Sequence, residues 1–108
     1  MRRKQVEHFA DAMERKLRAN DHKGRWDLCS NSYLKRRLRN ETRELFAAVD
    51  HLRRNKDPLK KHHLMLRVLD EAADVANFAM MIADNNALIE HEPRLASVFG
   101  VNVYGDVR

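Results

Sequence analysis

The segment from Leu59 to Asn86 has the apolar spacing of one long α-helix, and it constrains the fold more than any other part of the chain. At about 100° per residue, apolar side chains recur on one side of this helix along its whole length. Neither Gly nor Pro interrupts the segment. The full chain of 108 residues has only 3 Gly, 2 Pro and 6% aromatic residues, too few turn residues for an all-β fold. The sequence therefore predicts an all-α protein.

Two further helices are predicted before this segment. The first runs from about Lys4 to Arg18, with apolar residues spaced for one face, and ends in the polar loop "ANDHKGRWD". The second runs from about Ser32 to Arg54, where the side chain of Ser30 or Asn31 can accept a hydrogen bond from the first turn. The basic end of this second helix complements the helix dipole.

The segment "NKDPLKK" predicts a tight turn between the second and third helices. Asp57 is a good N-cap, and Pro58 suits the first position of a helix. Helices joined by such a short turn usually pack antiparallel with their apolar stripes together. We therefore expect an antiparallel helical bundle of three main helices.

The length of 108 residues predicts a single domain, 1–108, with a helical core over about 4–86 and a short C-terminal tail, 87–108. One short helix is predicted in the tail after Pro93. Apolar residues on more than one face of the third helix leave surplus apolar surface, so we expect the bundle to be completed by oligomerisation. The residues concerned are Val75, Phe78, Met81 and Ile82.

The charge and cysteine content limit the classes of partner. A net charge of +5 and a pI of about 9.7 favour polyanions, which include nucleic acid, membrane surfaces and phosphorylated small molecules. The single Cys29 excludes an intramolecular disulfide. No stretch approaches the roughly 20 apolar residues that span a bilayer. We expect a soluble, cytoplasmic protein without a membrane partner.

Acidic residues recur at matched positions on the second and third helices. The segments "ETREL" at 41–45 and "EAADV" at 71–75 share the pattern acid, two residues, acid, apolar. Glu41 and Glu71 fall inside the apolar stripes of their helices, while Glu44 and Asp74 lie at the edges of those stripes. Two long helices thus carry the same arrangement of carboxylates.

Antiparallel packing of these helices would bring the four carboxylates together, and they would repel one another without a neutralising cation. Acids three residues apart on a helix point the same way, which suits a hard cation with several oxygen ligands. Mg²⁺ or Mn²⁺ fits this donor set better than Zn²⁺. The alternative is that the acids are solvated or paired with Lys and Arg, which is common on charged helices.

The same residues carry a resemblance to a known family. "ETREL" followed by "EAADV" resembles the ExxE and ExxD signature of the MazG-like all-α nucleoside triphosphate pyrophosphohydrolases. The segments "NDHKGRWDLCSNSYLKRRL" and "DEAADVANFAMMIADN" are similar to the small MazG-like proteins of phages and prophages. The similarity covers about Asn20 to Asn86.

The resemblance implies a helical bundle, dimeric or tetrameric, that binds Mg²⁺ and hydrolyses nucleoside triphosphates to the monophosphate and pyrophosphate. By position, it implies that Asn77 lines the same site and contacts the nucleotide. One departure is Asn40, where many relatives have a further acid. The metal ligands that the resemblance implies are Glu41, Glu44, Glu71 and Asp74.

Other residues fit this chemistry. Phosphoanhydride cleavage needs charge neutralisation and an oriented water, and Glu44 is a candidate general base for that water. In the loop "DHKGRW", Lys23 is a candidate phosphate contact and Trp26 a candidate stacking surface for the base. The alternative is that Trp26 packs in the core and Lys23 is solvated. Arg36, Arg37 or Arg39 could help to hold a triphosphate across a subunit boundary.

Two readings without catalysis remain open. A small basic helical protein could bind nucleic acid through its arginine-rich faces, or act as an interaction module. Such readings account for the pI but not for acids placed in apolar stripes. For an enzyme encoded by a phage, the resemblance implies the host cytoplasm as the location and either control of the dNTP pool or removal of non-standard nucleotides as the role.

Overall fold

The computed structural model describes residues 1–88, and these residues form helices packed against one another without a β-strand. The all-α prediction is therefore confirmed. Two short 3-10 turns, Asp21–Lys23 and Trp26–Leu28, lie between the first and second α-helices, and a π-helical turn, Asp84–Leu88, follows the third. The α-helices are α1 (Lys4–Ala19), α2 (Asn31–Arg54) and α3 (Pro58–Ala83).

The helix boundaries follow from local sequence. The Ser30 hydroxyl accepts a hydrogen bond from the backbone N–H of Tyr33 at 3.1 Å, so Ser30 is the N-cap of α2. The Asp57 carboxylate accepts one from the backbone N–H of Leu59 at 2.9 Å, and Pro58 occupies the first turn of α3. Both predicted caps are confirmed.

Contacts at the two ends of the α2 and α3 pair show that these helices are antiparallel. Near the start of α2, the side chains of Asn31 and Asn86 donate hydrogen bonds to each other, at 3.0 and 2.8 Å. Near its end, Arg67 Nη1 lies 3.4 Å from His51 Nδ1. Residues early in α2 thus meet residues late in the chain, as the short turn predicts.

Helix α1 packs against α3 and also runs antiparallel to it. Arg15 pairs with Asp70 at 3.1 Å, and the Met13 carbonyl accepts a hydrogen bond from the Asn77 side chain at 3.1 Å. Helix α3 therefore contacts both other helices and is the centre of the bundle.

The buried apolar core is formed by small and aliphatic residues of all three helices: Ala12, Leu34, Ala48, Leu64 and Ala73. Several larger apolar side chains are exposed instead, including Phe46 at 62%, Met65 at 48% and Leu66 at 47%. The residues predicted to provide surplus apolar surface on α3 are all half-buried, namely Val75, Phe78, Met81 and Ile82. Oligomerisation stays a prediction.

The structure differs from the predicted helices in one detail near the end of α3. The sequence predicts that the third helix continues to about Asn86, but its α-helical part ends at Ala83 and a π-helical turn follows. Asp84 and Asn85 in this turn hydrogen-bond to Trp26, which ties the turn to the preceding loop. The change from α-helix to the wider π-helical turn therefore occurs where side chains at the end of α3 contact the loop around Trp26.

The helix predicted after Pro93 lies outside the described residues. Among residues 1–88, none of the helices combines the length and the apolar character needed to cross a bilayer.

Replacing Leu34 with Ala is expected to lower the free energy of unfolding by about 2 to 5 kcal/mol, because its side chain is fully buried. Leu59→Ala is the matched control, since Leu59 is 90% exposed, and we expect a change below about 0.5 kcal/mol. Urea unfolding followed by circular dichroism measures both. Equal losses in the two variants would contradict the position of Leu34 in the core.

Candidate metal and substrate site

Three carboxylates from α2 and α3 come together in the seam between the helices. Ligand oxygens of Glu41, Glu44 and Glu71 all lie within 4.8 Å of one another. Glu41 is 6% exposed, Glu71 is half-buried and Glu44 is exposed. Three of the four predicted metal ligands are thus brought into one group, which we call the carboxylate group.

Asp74, the fourth predicted ligand, lies beside the carboxylate group and is paired with a cation. Its Oδ2 is 3.3 Å from the Lys16 ammonium, and both side chains are about three-quarters buried. Helix α1 thus provides the counter-ion for an acid on α3. The pairing brings Lys16, which sequence reasoning missed, into the site.

Two arginines neutralise the carboxylate group in part. Arg37 Nη2 lies 3.0 Å from Glu41 Oε2, and Arg67 Nε lies 3.9 Å from Glu71 Oε2. Each arginine precedes its glutamate by four residues on the same helix, a spacing that places the two side chains one above the other. The 3.9 Å contact is too long for a hydrogen bond, so Glu71 is the less well compensated of the two acids.

Glu71 has a buried oxygen that lacks a hydrogen-bond partner among the described residues. This atom is Oε1, on a side chain that is 17% exposed. A buried carboxylate oxygen without a partner is costly to the fold and is commonly explained by a ligand or ion. Together with two nearby carboxylates, it is the donor set that a hard divalent cation prefers.

The environment raises the pKa of both buried glutamates above the ordinary value. For Glu41, burial is the main cause, followed by the charges of Glu44 and Asp74, while Arg37 opposes them. For Glu71, burial again comes first and Glu44 and Asp74 add to it, while Arg67 and Lys16 oppose them. The local positive charges therefore do not fully compensate for desolvation and mutual repulsion.

A cavity of about 860 Å³ opens beside the carboxylate group. Its wall contains the acidic residues Asp21, Asp27, Glu41, Asp74 and Asp84, and it also contains basic residues from α1, the following loop and α2. These basic residues are Lys16, Lys23, Arg25 and Arg37. The volume is within the range of about 300 to 1,000 Å³ that is typical of sites for small molecules.

The three predicted substrate-binding residues all line this cavity. Lys23 is exposed, Trp26 is half-buried and Asn77 is 4% exposed. Gly24 follows Lys23 with a φ of 108°, a conformation that favours glycine, and it lines the cavity as well. The loop "DHKGRW" therefore forms part of the wall.

Two residues of the π-helical turn hold Trp26 in place. Its indole N–H donates a hydrogen bond to Asp84 Oδ2 at 2.9 Å, and its carbonyl accepts one from the Asn85 side chain at 3.0 Å. These contacts fix the ring at the cavity wall. Sequence reasoning missed Asp84, because the contact joins residues 58 positions apart.

Asn77 is buried and only partly bonded. Its amide nitrogen donates a hydrogen bond to the Met13 carbonyl, while its Oδ1 has no partner among residues 1–88. An unpaired acceptor on a buried side chain lining a cavity is available to a donor on a bound molecule. The hydrogen bond from its amide nitrogen to the Met13 carbonyl on α1 also fixes the orientation of the side chain.

Comparison of the chain with protein-family models, with curated proteins and with solved structures finds no match.

Replacing Glu71 with Gln is expected to raise the Tm of the metal-free protein at neutral pH, because the change removes a poorly compensated charge. Since the pKa values of Glu41 and Glu71 are raised above 4.5, the folded state binds more protons than the unfolded state from about pH 4.5 up to those raised values. Native stability therefore increases as the pH falls through this window, and Glu71→Gln should reduce that slope.

Thermal unfolding in chelator across this pH range measures the effect. Glu14→Gln is the control, because Glu14 lies on α1 and is exposed. A lower Tm for Glu71→Gln at neutral pH without metal would contradict the interpretation.

Proposed function

We propose that the protein is a Mg²⁺-dependent nucleoside triphosphate pyrophosphohydrolase, which cleaves a ribo- or deoxyribonucleoside triphosphate to the monophosphate and pyrophosphate. The observation that supports this most is the position of Glu41. Its carboxylate belongs to the three-acid group and also lines the cavity that contains Lys16, Lys23 and Trp26. A carboxylate group of the kind that suits a cation and a cavity with basic and aromatic side chains thus adjoin each other.

The mixed acidic and basic lining of the cavity suits a nucleotide that is bound through a metal ion. Carboxylates alone repel a triphosphate, and a divalent cation between them and the phosphates removes that repulsion. Lys16, Lys23 and Arg25 line the same space, where Lys16 is paired with Asp74 and Arg25 with Asp27. Trp26 offers an aromatic face on which a base can stack, although its ring edge is held by Asp84.

The carboxylate group suits a hard cation for three reasons. Its donors are carboxylate oxygens, and the Glu71 Oε1 atom has no hydrogen-bond partner among residues 1–88. Glu44 is exposed, so an ion can enter from solvent. Glu41, Glu44 and Glu71 would hold the ion, and Asp74 would join them on release from Lys16. When bound, Mg²⁺ supplies charge neutralisation for phosphate oxygens and lowers the pKa of water. Mn²⁺ is the expected substitute, since it accepts the same oxygen ligands.

The reaction adds one water to the α-phosphorus and breaks the bond from that phosphorus to the bridging oxygen. Pyrophosphate leaves with the bond electrons, and the water proton is taken up by a base. Glu44 is the exposed member of the group and can pass that proton to solvent. Lys16 and Lys23 would hold the α-phosphate in the cavity and Arg37 the phosphate chain beyond it, so that water and leaving group lie in line.

We further propose that the chain acts as a homodimer or homotetramer of the MazG-like type. Exposed apolar residues on α2 and α3, among them Phe46 and Leu66, support self-association. The cytoplasm, or the host cytoplasm for a phage-encoded enzyme, is the compartment in which (d)NTP substrates occur.

The alternative is a non-enzymatic basic module that binds nucleic acid or another protein. The net charge of +5 favours it. This alternative gives no role to the unpaired Glu71 oxygen or to the adjoining cavity. Salt-sensitive DNA binding that survives Glu41→Gln and Glu71→Gln would support it.

Turnover of a panel of ribo- and deoxyribonucleoside triphosphates with Mg²⁺ or Mn²⁺ tests the proposal. We expect monophosphate and pyrophosphate in equal amounts, and loss of at least about a hundredfold in kcat in a Glu41→Gln, Glu71→Gln double variant. The matched control is Glu7→Gln, Glu14→Gln, two exposed acids of α1. Diphosphate and phosphate as products, or no turnover with either metal, would overturn the proposal.

Glu44→Gln tests the general-base role, and the assay is run in saturating Mg²⁺ because Glu44 is also a proposed ligand of the ion. We expect kcat to fall by about 10²- to 10⁴-fold, with KM for the metal–nucleotide complex changing much less, because proton uptake acts on the transition state. Steady-state kinetics over pH 6 to 9 with the native enzyme as reference measures this. A variant that retains full activity would remove Glu44 from the role of base.

A further inference from the structure

The acidic pattern shared by α2 and α3 is part of a longer repeat, because each helix also has an arginine on the N-terminal side of its first acid. Arg37 precedes Glu41 by four residues and Arg67 precedes Glu71 by four, so both helices carry Arg, three residues, Glu, two residues, acid. Both arginines contact the glutamate that follows them. A matched pair of guanidinium groups thus flanks the carboxylate group.

These arginines share an open depression that is separate from the main cavity. Its volume is about 330 Å³, and it is lined by Arg37, Asn40, Arg43, Glu44, Ala47 and Arg67. Glu44 lines this depression whereas Glu41 lines the cavity, so the carboxylate group borders both spaces. Three arginines and no aromatic residue line the depression, as residues 1–88 describe it, which suits a small polyanion.

A divalent cation at the carboxylate group would change the partners of Arg37 and Arg67. The ion would take over neutralisation of Glu41 and Glu71, and the guanidinium groups would then lack their present counter-ions. Both side chains are about two-fifths exposed, so they can turn towards solvent or a ligand. The planar guanidinium presents paired N–H donors that match phosphate oxygens.

We propose that Arg37, Arg43 and Arg67 form a binding site for the leaving pyrophosphate on the far side of the carboxylate group from the nucleoside cavity. This inference rests on the proposed function. The nucleoside and α-phosphate occupy the cavity, the β- and γ-phosphates occupy the depression, and the bond that breaks lies at the carboxylates between them. Arg37 lines both spaces and contacts the phosphate chain where it passes from one to the other.

Calorimetric titration with inorganic pyrophosphate in saturating Mg²⁺ tests this site without turnover. We expect an Arg43→Gln, Arg67→Gln double variant to bind pyrophosphate at least about tenfold more weakly, with affinity for a nucleoside monophosphate changing less than about twofold. The matched control is Arg53→Gln, Arg54→Gln, which removes the same charge from the exposed end of α2. Its affinity for pyrophosphate should change less than about threefold.

A second measurement separates loss of the site from damage to the fold. Removing positive charge beside Glu71 should leave Mg²⁺ affinity unchanged or increase it, whereas a misfolded site would bind both Mg²⁺ and pyrophosphate more weakly. Parallel loss of both would overturn the proposal. So would equal weakening in the control, unchanged pyrophosphate affinity in the Arg43, Arg67 variant, or no binding by the native protein.

The outcomes also distinguish this inference from the proposed function. Native turnover to pyrophosphate, with a binding affinity insensitive to Arg43 and Arg67, would overturn the arginine site and leave the function. Arginine-dependent binding of pyrophosphate by a protein that hydrolyses no nucleoside triphosphate would overturn the function and retain the arginine site.

Discussion

Glu41 and Glu71 lie in the seam between α2 and α3, where their carboxylates have lost most of their contact with water, and the other charges of the site are arranged around them. Arg37 and Arg67 each approach one of these acids, and Lys16 pairs with Asp74 beside them. Burial and mutual repulsion nevertheless keep the pKa values of both glutamates raised. The bundle thus holds a local excess of negative charge that lowers its own stability, as binding sites commonly do.

Helix α1 contributes more to this site than its amphipathic pattern predicts. Lys16 neutralises Asp74, and the Met13 carbonyl orients Asn77. Both contacts depend on the antiparallel docking of α1 on α3, which also closes one wall of the cavity. The loop after α1 continues that wall, and the hydrogen bonds from Trp26 and Asn85 attach it to the end of α3. The cavity therefore depends on contacts between segments distant in sequence.

This division between local and distant contacts explains what the sequence could predict. The caps at Ser30 and Asp57 involve residues within three positions, and the group of Glu41, Glu44 and Glu71 follows from helical register plus one short turn. Lys16 could not be assigned to Asp74 without knowing how α1 docks. The π-helical turn was equally beyond prediction, because its local sequence continues the helical pattern and its partners lie far away in the chain.

The docking of α1 also breaks the symmetry that the repeated sequence pattern would otherwise give the site. Glu44 and Asp74 occupy matching positions on α2 and α3, yet their surroundings differ. Asp74 lies on the side where α1 packs, is half-buried and has Lys16 as its counter-ion, whereas Glu44 is exposed and lines the arginine-rich depression. Glu44 is therefore the more accessible of the two carboxylates to solvent. Two similar helical motifs thus have different surroundings because a third helix covers only one of them: Asp74 lines the cavity beside α1, and Glu44, on the other helix, lines the open depression.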